Sequence, residues 1–176
     1  MVEQSFPKVI DGGLTSIIKA GLPIVTDLPS KPLTSNLYPY KYVWELPTID
    51  LKDVQKATET KDCIIIDVRE NYRYRGESEP IDLIAGHIPT SINIPYINNL
   101  DDEGNFVSSD KLKQLYSKYL QDKNLNKVII HCGSGVTACH TILALQEAGF
   151  STPLLYVGSW SEWSRNELPI EKEDEC

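Results

Sequence analysis

Residues 128–149 read Val-Ile-Ile-His-Cys-Gly-Ser-Gly-Val-Thr-Ala-Cys-His-Thr-Ile-Leu-Ala-Leu-Gln-Glu-Ala-Gly. The short run Val128–His131 predicts a buried strand that ends at Cys132. The stretch Thr137–Ala148 has apolar residues at helical spacing and stops at Gly149, a residue type that commonly follows the last turn of a helix. A strand, a glycine-rich loop and a helix in this order form the repeating unit of α/β proteins with a parallel sheet.

The rest of the chain continues this alternation of strands and helices. Three more segments are predicted to be strands, namely Cys63–Ile66, Ser91–Pro95 and Leu154–Val157. Helices are predicted over Asp50–Thr60 and from Ser109 or Asp110 to Leu120. The polar stretch Tyr72–Leu83 lacks periodicity and is predicted to be a surface excursion. We therefore expect an α/β fold of three layers, with a central, mainly parallel sheet flanked by helices.

Composition excludes several classes of function. The chain has 176 residues and a net charge of −8, which argues against direct binding to nucleic acid. No apolar run approaches the roughly 20 residues that a membrane-spanning helix needs, and the N-terminal residues do not resemble a signal or transit peptide. The four cysteines, Cys63, Cys132, Cys139 and Cys176, have irregular spacing, which predicts reduced thiols in an intracellular protein. Their spacing to histidines predicts no metal site, and no cofactor is expected.

The loop after Cys132 has the residue types that activate a thiol. Glycines at 133 and 135 are expected to adopt positive φ and to turn backbone N–H groups inward, towards an anion. The N-terminus of the following helix favours the thiolate, which is the nucleophilic form of cysteine. Ser134 and Thr137 add hydroxyl donors at the same rim. Cys132 is therefore the candidate nucleophile, whereas Cys139 and Cys63 are expected to be packing thiols.

The same loop argues against a phosphatase. Cysteine-dependent phosphatases hold phosphate with an arginine six positions after the nucleophile, and here that position is Ala138. Neither arginine nor lysine occurs from Cys132 to Gly149. A phosphate dianion would lack its main partner.

A faint internal repeat suggests how the chain is organised. Lys8–Ile24 aligns without gaps to Leu154–Ile170, and both copies are predicted to contain a strand, a glycine turn, a short helix and Leu-Pro-Ile. We interpret residues 1–27 as the last strand and helix of a preceding homologous domain, 28–48 as a proline-rich linker and 49–176 as the catalytic domain. The alternative is an N-terminal arm that packs on its own domain.

These motifs resemble the rhodanese family of sulfurtransferases over roughly residues 50–170. Cys132–Ala138 is similar to the active loop of the mercaptopyruvate branch. The other matching motifs are Asp67-Val-Arg69 with Arg73, Gly86-His-Ile-Pro89 with Asn93-Ile-Pro95, and Gly158-Ser-Trp-Ser-Glu-Trp163. Members of that branch usually have an inactive first domain and a catalytic second one, in agreement with the repeat.

The resemblance implies a ping-pong sulfur transfer. Cys132 takes a sulfane sulfur from 3-mercaptopyruvate or thiosulfate and passes it from a persulfide to a thiol such as thioredoxin, to cyanide or to another protein. It implies that Arg73 clamps the donor anion, that Arg75 is a second candidate contact, and that Asp67 and Arg69 form a structural pair. The loop residues expected to bind the substrate are Gly133, Ser134, Gly135, Val136 and Thr137. A cytoplasmic or mitochondrial location is expected, with the preceding rhodanese domain as a further partner.

One departure leaves the donor open. In the mercaptopyruvate branch an arginine usually follows an acidic, proline-containing run, whereas here Glu77-Ser-Glu-Pro80 is followed by Ile81 and Asp82. The alternative function is a relay that carries persulfide from a desulfurase towards tRNA thiolation or molybdenum-cofactor synthesis. A non-catalytic interaction domain is a third reading, and the intact nucleophile loop argues against it.

Overall fold

Five short strands form one parallel sheet in the computed structural model, which describes residues 8–27, 46–120 and 124–173. Their order across the sheet is β1-β5-β4-β2-β3, and every pair of neighbours is parallel. The strands are β1 (Thr48–Ile49), β2 (Ile64–Asp67), β3 (Ile92–Asn93), β4 (Val128–His131) and β5 (Leu154–Tyr156). The predicted α/β fold is confirmed, and β4, which leads to Cys132, is the central strand.

Helices follow or precede each strand, as parallel connections require. They are α1 (Gly13–Lys19), α2 (Leu51–Thr60), α3 (Asn71–Arg75), α4 (Ser109–Leu120), α5 (Val136–Glu147) and α6 (Ser159–Trp163). Short 3-10 turns cover Tyr96–Asn99 and Leu125–Lys127. Asp50 caps α2 by accepting a hydrogen bond from the backbone N–H of Asp53 at 3.0 Å. Within the described ranges, none of the helices is both long and apolar enough to cross a membrane.

The two central strands bury both of their faces, which produces the three layers. Ile65 of β2 and Ile129 of β4 belong to one buried cluster, together with residues of α2 and α6. Their neighbours Ile66 and Ile130 belong to a second cluster on the other face, with residues of α4 and α5. Successive side chains of a strand point to opposite faces, so a continuous isoleucine run serves both layers.

The prediction of a surface excursion over Tyr72–Leu83 is partly wrong. Residues 71–75 form α3, and both Arg73 and Tyr74 are buried. The Tyr74 hydroxyl donates to the backbone carbonyl of Ser91 at 2.5 Å, and its ring stacks on His87 with centroids 3.8 Å apart. The burial of α3 depends on contacts with residues outside it, which the sequence of the segment does not reveal. With only five residues, the helix also shows no periodic pattern of apolar positions.

The N-terminal segment agrees with the repeat in its helix but not in its strand. Residues 8–10 belong to no strand, whereas Gly12, at φ +71°, leads into α1. The proposed linker boundary is also displaced, because Thr48 already lies in β1. The two residues of β1 directly follow Pro47, at the end of the proline-rich stretch, and this obscured the strand in the sequence. The remainder of the predicted linker, residues 28–45, lies outside the described residues.

Candidate active site

Cys132 lies at the carboxyl edge of the sheet, immediately after β4. Only 2% of its surface is exposed, and it lines a cleft of about 210 Å³. Loop residues of the candidate site share the cleft with side chains from four other segments. Those side chains belong to Glu70, Arg73, Ile81, Asp82, Tyr96 and Ser161. Ligands of α/β proteins commonly bind at this edge of the sheet.

A backbone amide contacts the predicted nucleophile, Cys132, directly. The N–H of Gly135 donates to Sγ of Cys132 at 3.1 Å. Gly135 has φ +85° and precedes α5 as its N-cap, so the amide and the positive end of the helix face the same sulfur. A Cβ at this position would lie 3.1 Å from the carbonyl oxygen of Val157. Glycine therefore supplies both the conformation and the clearance.

Gly133 was predicted to adopt positive φ, but in the structure its importance is the space left by its missing side chain. It is absent from the described residues with positive φ, so the expected left-handed conformation at this glycine is wrong. A Cβ there would instead meet Nη2 of Arg73 at 3.4 Å and Oδ2 of Asp82 at 3.6 Å. The missing side chain lets the guanidinium and the carboxylate approach the loop closely.

The segment that follows β5 holds the loop backbone in place, which sequence reasoning did not find. Ser159 accepts a hydrogen bond from the N–H of Cys132 at 3.2 Å and donates to the carbonyl of Tyr156 at 2.9 Å. The N–H groups of Trp160 and Ser161 donate to the carbonyls of Cys132 and Gly133, at 2.9 and 2.8 Å. The only available signal was the matching motif that contains these three residues.

Ser159 is itself held in an unusual conformation. It has φ +53° and is completely buried. A non-glycine residue in the left-handed region costs roughly 1 kcal/mol or more, and such residues cluster at functional sites. The hydrogen bonds of its hydroxyl with the N–H of Cys132 and the carbonyl of Tyr156 offset this cost. They also connect the end of β5 to Cys132.

Arg73 lies in the cleft, but three carboxylates bind it. Its guanidinium contacts Glu79 at 2.8 Å, and Asp82 and Glu70 at 3.4 Å each. Burial by itself would lower the pKa of Arg73, yet the bonds to Glu79 outweigh that effect and raise the pKa. Arg73, which was predicted to bind the donor anion, therefore lies beside the loop that follows Cys132. Its positive charge is already paired with nearby carboxylates.

Arg75 is not brought to the cleft. Its guanidinium lies 3.2 Å from Glu77 and 3.5 Å from Glu173. Residues two apart on a helix do not share a face, which separates Arg75 from Arg73 on α3.

Asp82 joins several parts of the site. Its carboxylate accepts from the Ser161 hydroxyl at 2.5 Å and from Arg165 at 3.3 Å, in addition to its contact with Arg73. Its side chain is 2% exposed. The neighbouring Ile81 is 73% exposed and lines the cleft; it directly follows the acidic, proline-containing run, after which the resemblance implies an arginine in the mercaptopyruvate branch.

The predicted pair of Asp67 and Arg69 is confirmed as a buried structural contact. Nη2 of Arg69 lies 2.6 Å from Oδ2 of Asp67 and also donates to the carbonyl of Gly86 at 2.6 Å. The guanidinium stands 4.6 Å from the ring centre of Trp160. This network supports the ends of β2 and β4 beneath the loop.

The other thiols differ in exposure. Cys139, expected to be a packing residue, is exposed on α5, whereas Cys63 is half-buried. Partial burial raises the pKa of Cys139, with a further contribution from the charge of Cys132. Within residues 8–27, 46–120 and 124–173, no group of three or more histidine, cysteine or acidic residues has an arrangement that could hold a metal ion.

Comparison with known proteins agrees with this geometry. The family model of the rhodanese-like domain matches residues 50–166. This chain belongs to the rhodanese family. The match covers the entire sheet except β1 and includes every residue that lines the cleft.

Individual relatives of this rhodanese are sulfurtransferases. It is 37% identical over 163 residues to the probable 3-mercaptopyruvate sulfurtransferase of Pseudomonas aeruginosa, with 88% of this chain and 54% of the relative covered. It is 33% identical over 170 residues to the thiosulfate sulfurtransferase of Rattus norvegicus, with 92% and 54% covered. The structure of 3-mercaptopyruvate sulfurtransferase from Leishmania major superposes with a TM-score of 0.71 at 29% identity, covering 88% of this chain and 42% of that one. The chain thus spans about half the length of the curated relatives it matches.

Proposed function

We propose that this rhodanese is a sulfurtransferase in which Cys132 carries the transferred sulfur. The contact between the Gly135 N–H and Sγ of Cys132, 3.1 Å long at the base of an open cleft, is the observation that carries the proposal. A donor placed beside a helix N-terminus stabilises the thiolate before attack and each sulfur anion afterwards. The sulfurtransferase names of the relatives support the same reaction class.

The reaction proceeds in two halves. The Cys132 thiolate attacks the thiol sulfur of 3-mercaptopyruvate, the carbon–sulfur bond breaks, and its electron pair leaves with the pyruvate enolate, which takes up a proton. With thiosulfate the leaving group is sulfite. An acceptor thiolate then attacks the outer sulfur of the persulfide, and the electron pair of the sulfur–sulfur bond returns to Cys132. Arg73 and the loop residues 133–137 are the proposed binding groups for the donor anion.

Mass spectrometry after exposure to each donor tests this function. We expect 3-mercaptopyruvate to add one sulfur atom to the peptide that contains Cys132, and Cys132→Ser to gain none. Cys139→Ser is a matched control, because it removes an exposed thiol seven residues away on the same loop–helix unit. It should load as the wild type does. Loading on Cys139 but not on Cys132, or no loading by either donor, would contradict the proposal.

A persulfide relay is the second candidate function. It is favoured by the three carboxylates that occupy Arg73, because they reduce the attraction of the cleft for small anionic donors. In that case a persulfidated desulfurase would load Cys132 while both small donors fail. The relay would then serve thiolation of tRNA or synthesis of the molybdenum cofactor.

The proposed partners follow from the exposed surface and from the relatives. A preceding rhodanese domain would cover apolar side chains of the N-terminal segment, including Val9, Leu14, Ile18 and Val25, which are 57–81% exposed. The proposed acceptors are thioredoxin or a small thiol. Free thiols at Cys63, Cys132 and Cys139 support a reducing compartment, cytoplasmic or mitochondrial.

A further inference from the structure

The charged groups of the cleft are mostly carboxylates. Glu70, Arg73 and Asp82 are the charged residues among those that line it. Arg73 contacts both of the others and, in addition, Glu79 behind it. Arg69 also contacts Glu79 at 3.2 Å and Arg165 contacts Asp82 at 3.3 Å, so these two carboxylates are each shared by two guanidinium groups. Glu70 pairs with Arg73 alone among the described ion pairs, and the potential beside it favours a cation over a second anion.

Exposure decides which of these charges an incoming molecule meets. The side chain of Glu70 is 38% exposed, whereas those of Arg73 and Asp82 are 7% and 2% exposed. Asp82 is also engaged by the Ser161 hydroxyl and by Arg165. Glu70 is thus the carboxylate with room for a further partner, and it stands on the same side of the cleft as Arg73.

The other residues that line the cleft are uncharged. Ile81 and Val136, each 73% exposed, form apolar parts of the rim. A cleft of about 210 Å³ has room for a short aliphatic molecule beside Cys132. Any charged substituent on such a molecule would share this cleft with Arg73 and Glu70.

We propose that Glu70, supported by Asp82, makes the cleft select acceptor thiols that carry an ammonium group beside the reacting sulfur. Such aminothiols place their ammonium against Glu70, and a carboxylate on the same carbon can face Arg73. A thiol of equal length that carries only a carboxylate can face Arg73 in the same way but lacks the contact with Glu70. This inference concerns the second half-reaction and rests on the proposed sulfur transfer through Cys132.

The discharge step needs no added oxidant. The acceptor thiolate forms a bond to the outer sulfur of the Cys132 persulfide, and the bond between the two enzyme-held sulfurs breaks. Its electron pair returns to Sγ of Cys132, where the Gly135 N–H receives the developing thiolate. The acceptor leaves as a persulfide.

Discharge rates with a matched pair of acceptors test the selectivity. Inorganic polysulfide loads Cys132 independently of the physiological donor, and loss of the outer sulfur is followed by intact mass after adding L-cysteine or 3-mercaptopropionate. These acceptors differ by the ammonium group. The readout is the ratio of their two rate constants compared between proteins, so that their different intrinsic reactivities cancel.

We expect Glu70→Gln to lower this ratio about threefold or more, a typical size for a partly exposed charge pair. Glu59→Gln, which removes an exposed carboxylate on α2 outside the cleft, should leave the ratio unchanged, and Glu70→Asp should retain most of it. Added salt should move the wild-type ratio towards that of Glu70→Gln. An equal loss of rate with both acceptors would show a merely structural role and overturn the proposal, as would an unchanged ratio.

Failure of the proposed function has a different signature. If 3-mercaptopyruvate and thiosulfate do not load Cys132 while polysulfide does, the donor assignment fails but the acceptor ratio is still measured. If polysulfide does not load Cys132 either, the proposal that Cys132 carries a persulfide is contradicted. The proposed acceptor selectivity, which depends on that persulfide, is then contradicted as well.

Discussion

The backbone N–H of Gly135 and Sγ of Cys132 are hydrogen-bonded at 3.1 Å, across the turn that joins β4 to α5. Gly135 follows Cys132 by three positions, so the thiol is oriented by its own loop. The donor belongs to a residue with φ +85°, and a Cβ on that residue would lie 3.1 Å from the carbonyl oxygen of Val157, in the segment after β5. The position of Sγ of Cys132 therefore depends on Gly135, which no other residue type can replace without backbone strain.

Gly135→Ala tests this dependence. The substitution strains a left-handed residue and places a Cβ 3.1 Å from the Val157 carbonyl oxygen. We expect a loss of about 1–2 kcal/mol in the free energy of unfolding and a loading rate at Cys132 reduced at least tenfold. Gly149→Ala is the matched control, because Gly149 has φ +81° and nothing within 4 Å of the added Cβ. It should lose about 1 kcal/mol of stability and keep its loading rate. Equal loading rates in the two variants would refute the argument.

Tyr116→Phe is expected to destabilise the layer that contains α4. The Tyr116 hydroxyl donates to Oδ1 of Asn99 at 2.6 Å in a completely buried contact, and burial raises its pKa to about 12. Removing the hydroxyl leaves a buried amide oxygen without this donor, at a cost of about 1–3 kcal/mol. Tyr119→Phe, on the same helix but 41% exposed, should change stability by less than about 0.5 kcal/mol. Urea unfolding of both variants checks the difference, and equal effects would contradict it.

Glu79→Gln should change how stability depends on pH. Burial would raise the pKa of Glu79, but hydrogen bonds from Arg73 and from the amides of Asp82 and Ile81 outweigh it and lower the pKa. A carboxyl with a lowered folded-state pKa stabilises the protein above its unfolded pKa, near 4.3, and this contribution disappears as the pH falls through the folded-state value. The variant should therefore be less stable than the wild type by about 2 kcal/mol at pH 7.

The difference between the two proteins should shrink as the pH falls from about 4.3 towards 3. Urea unfolding at pH 7, 5 and 3.5 gives the comparison, with Glu59→Gln as a control for removing a charge from the surface. A gap between Glu79→Gln and wild type that is the same at pH 7 and 3.5 would show that ionisation of Glu79 is not its origin.

Removal of residues 1–27 should leave the rhodanese domain folded. None of the residues of α1 is buried. The segment contacts the domain through exposed or half-buried polar pairs, such as Lys19 with Glu103 at 2.9 Å and Ser16 with Asn105 at 3.3 Å. Surface pairs of this kind contribute about 1 kcal/mol or less each, so we expect the free energy of unfolding to fall by no more than about 2 kcal/mol. A loss of cooperative urea unfolding, followed by tryptophan fluorescence, would instead show that the segment is part of the core.

The order of elements and the position of Cys132 after a buried strand were predictable because their signals are local. Ile64–Ile66 and Val128–His131 are short apolar runs, and α4 and α5 repeat their apolar residues at helical spacing. Strands and helices in alternation restrict the chain to a parallel sheet, whose carboxyl edge then receives Cys132. The strand β1 and the helix α3 were not predicted because their segments carry no recognisable pattern: β1 directly follows Pro47, and Asn71–Arg75 is polar apart from two tyrosines.

The sequence by itself determined the strand–cysteine–loop–helix unit, the α/β class and the family, since each depends on residues that are neighbours along the chain. Only the tertiary structure decided the charge of the cleft. It brings Glu79 and Asp82 onto Arg73, turns Arg75 away, and places Ser159, 27 residues downstream, on the amide of Cys132. Each of these contacts depends on how the segments after β2 and β5 pack over the end of β4, and packing between distant segments leaves no pattern in the sequence of any one of them.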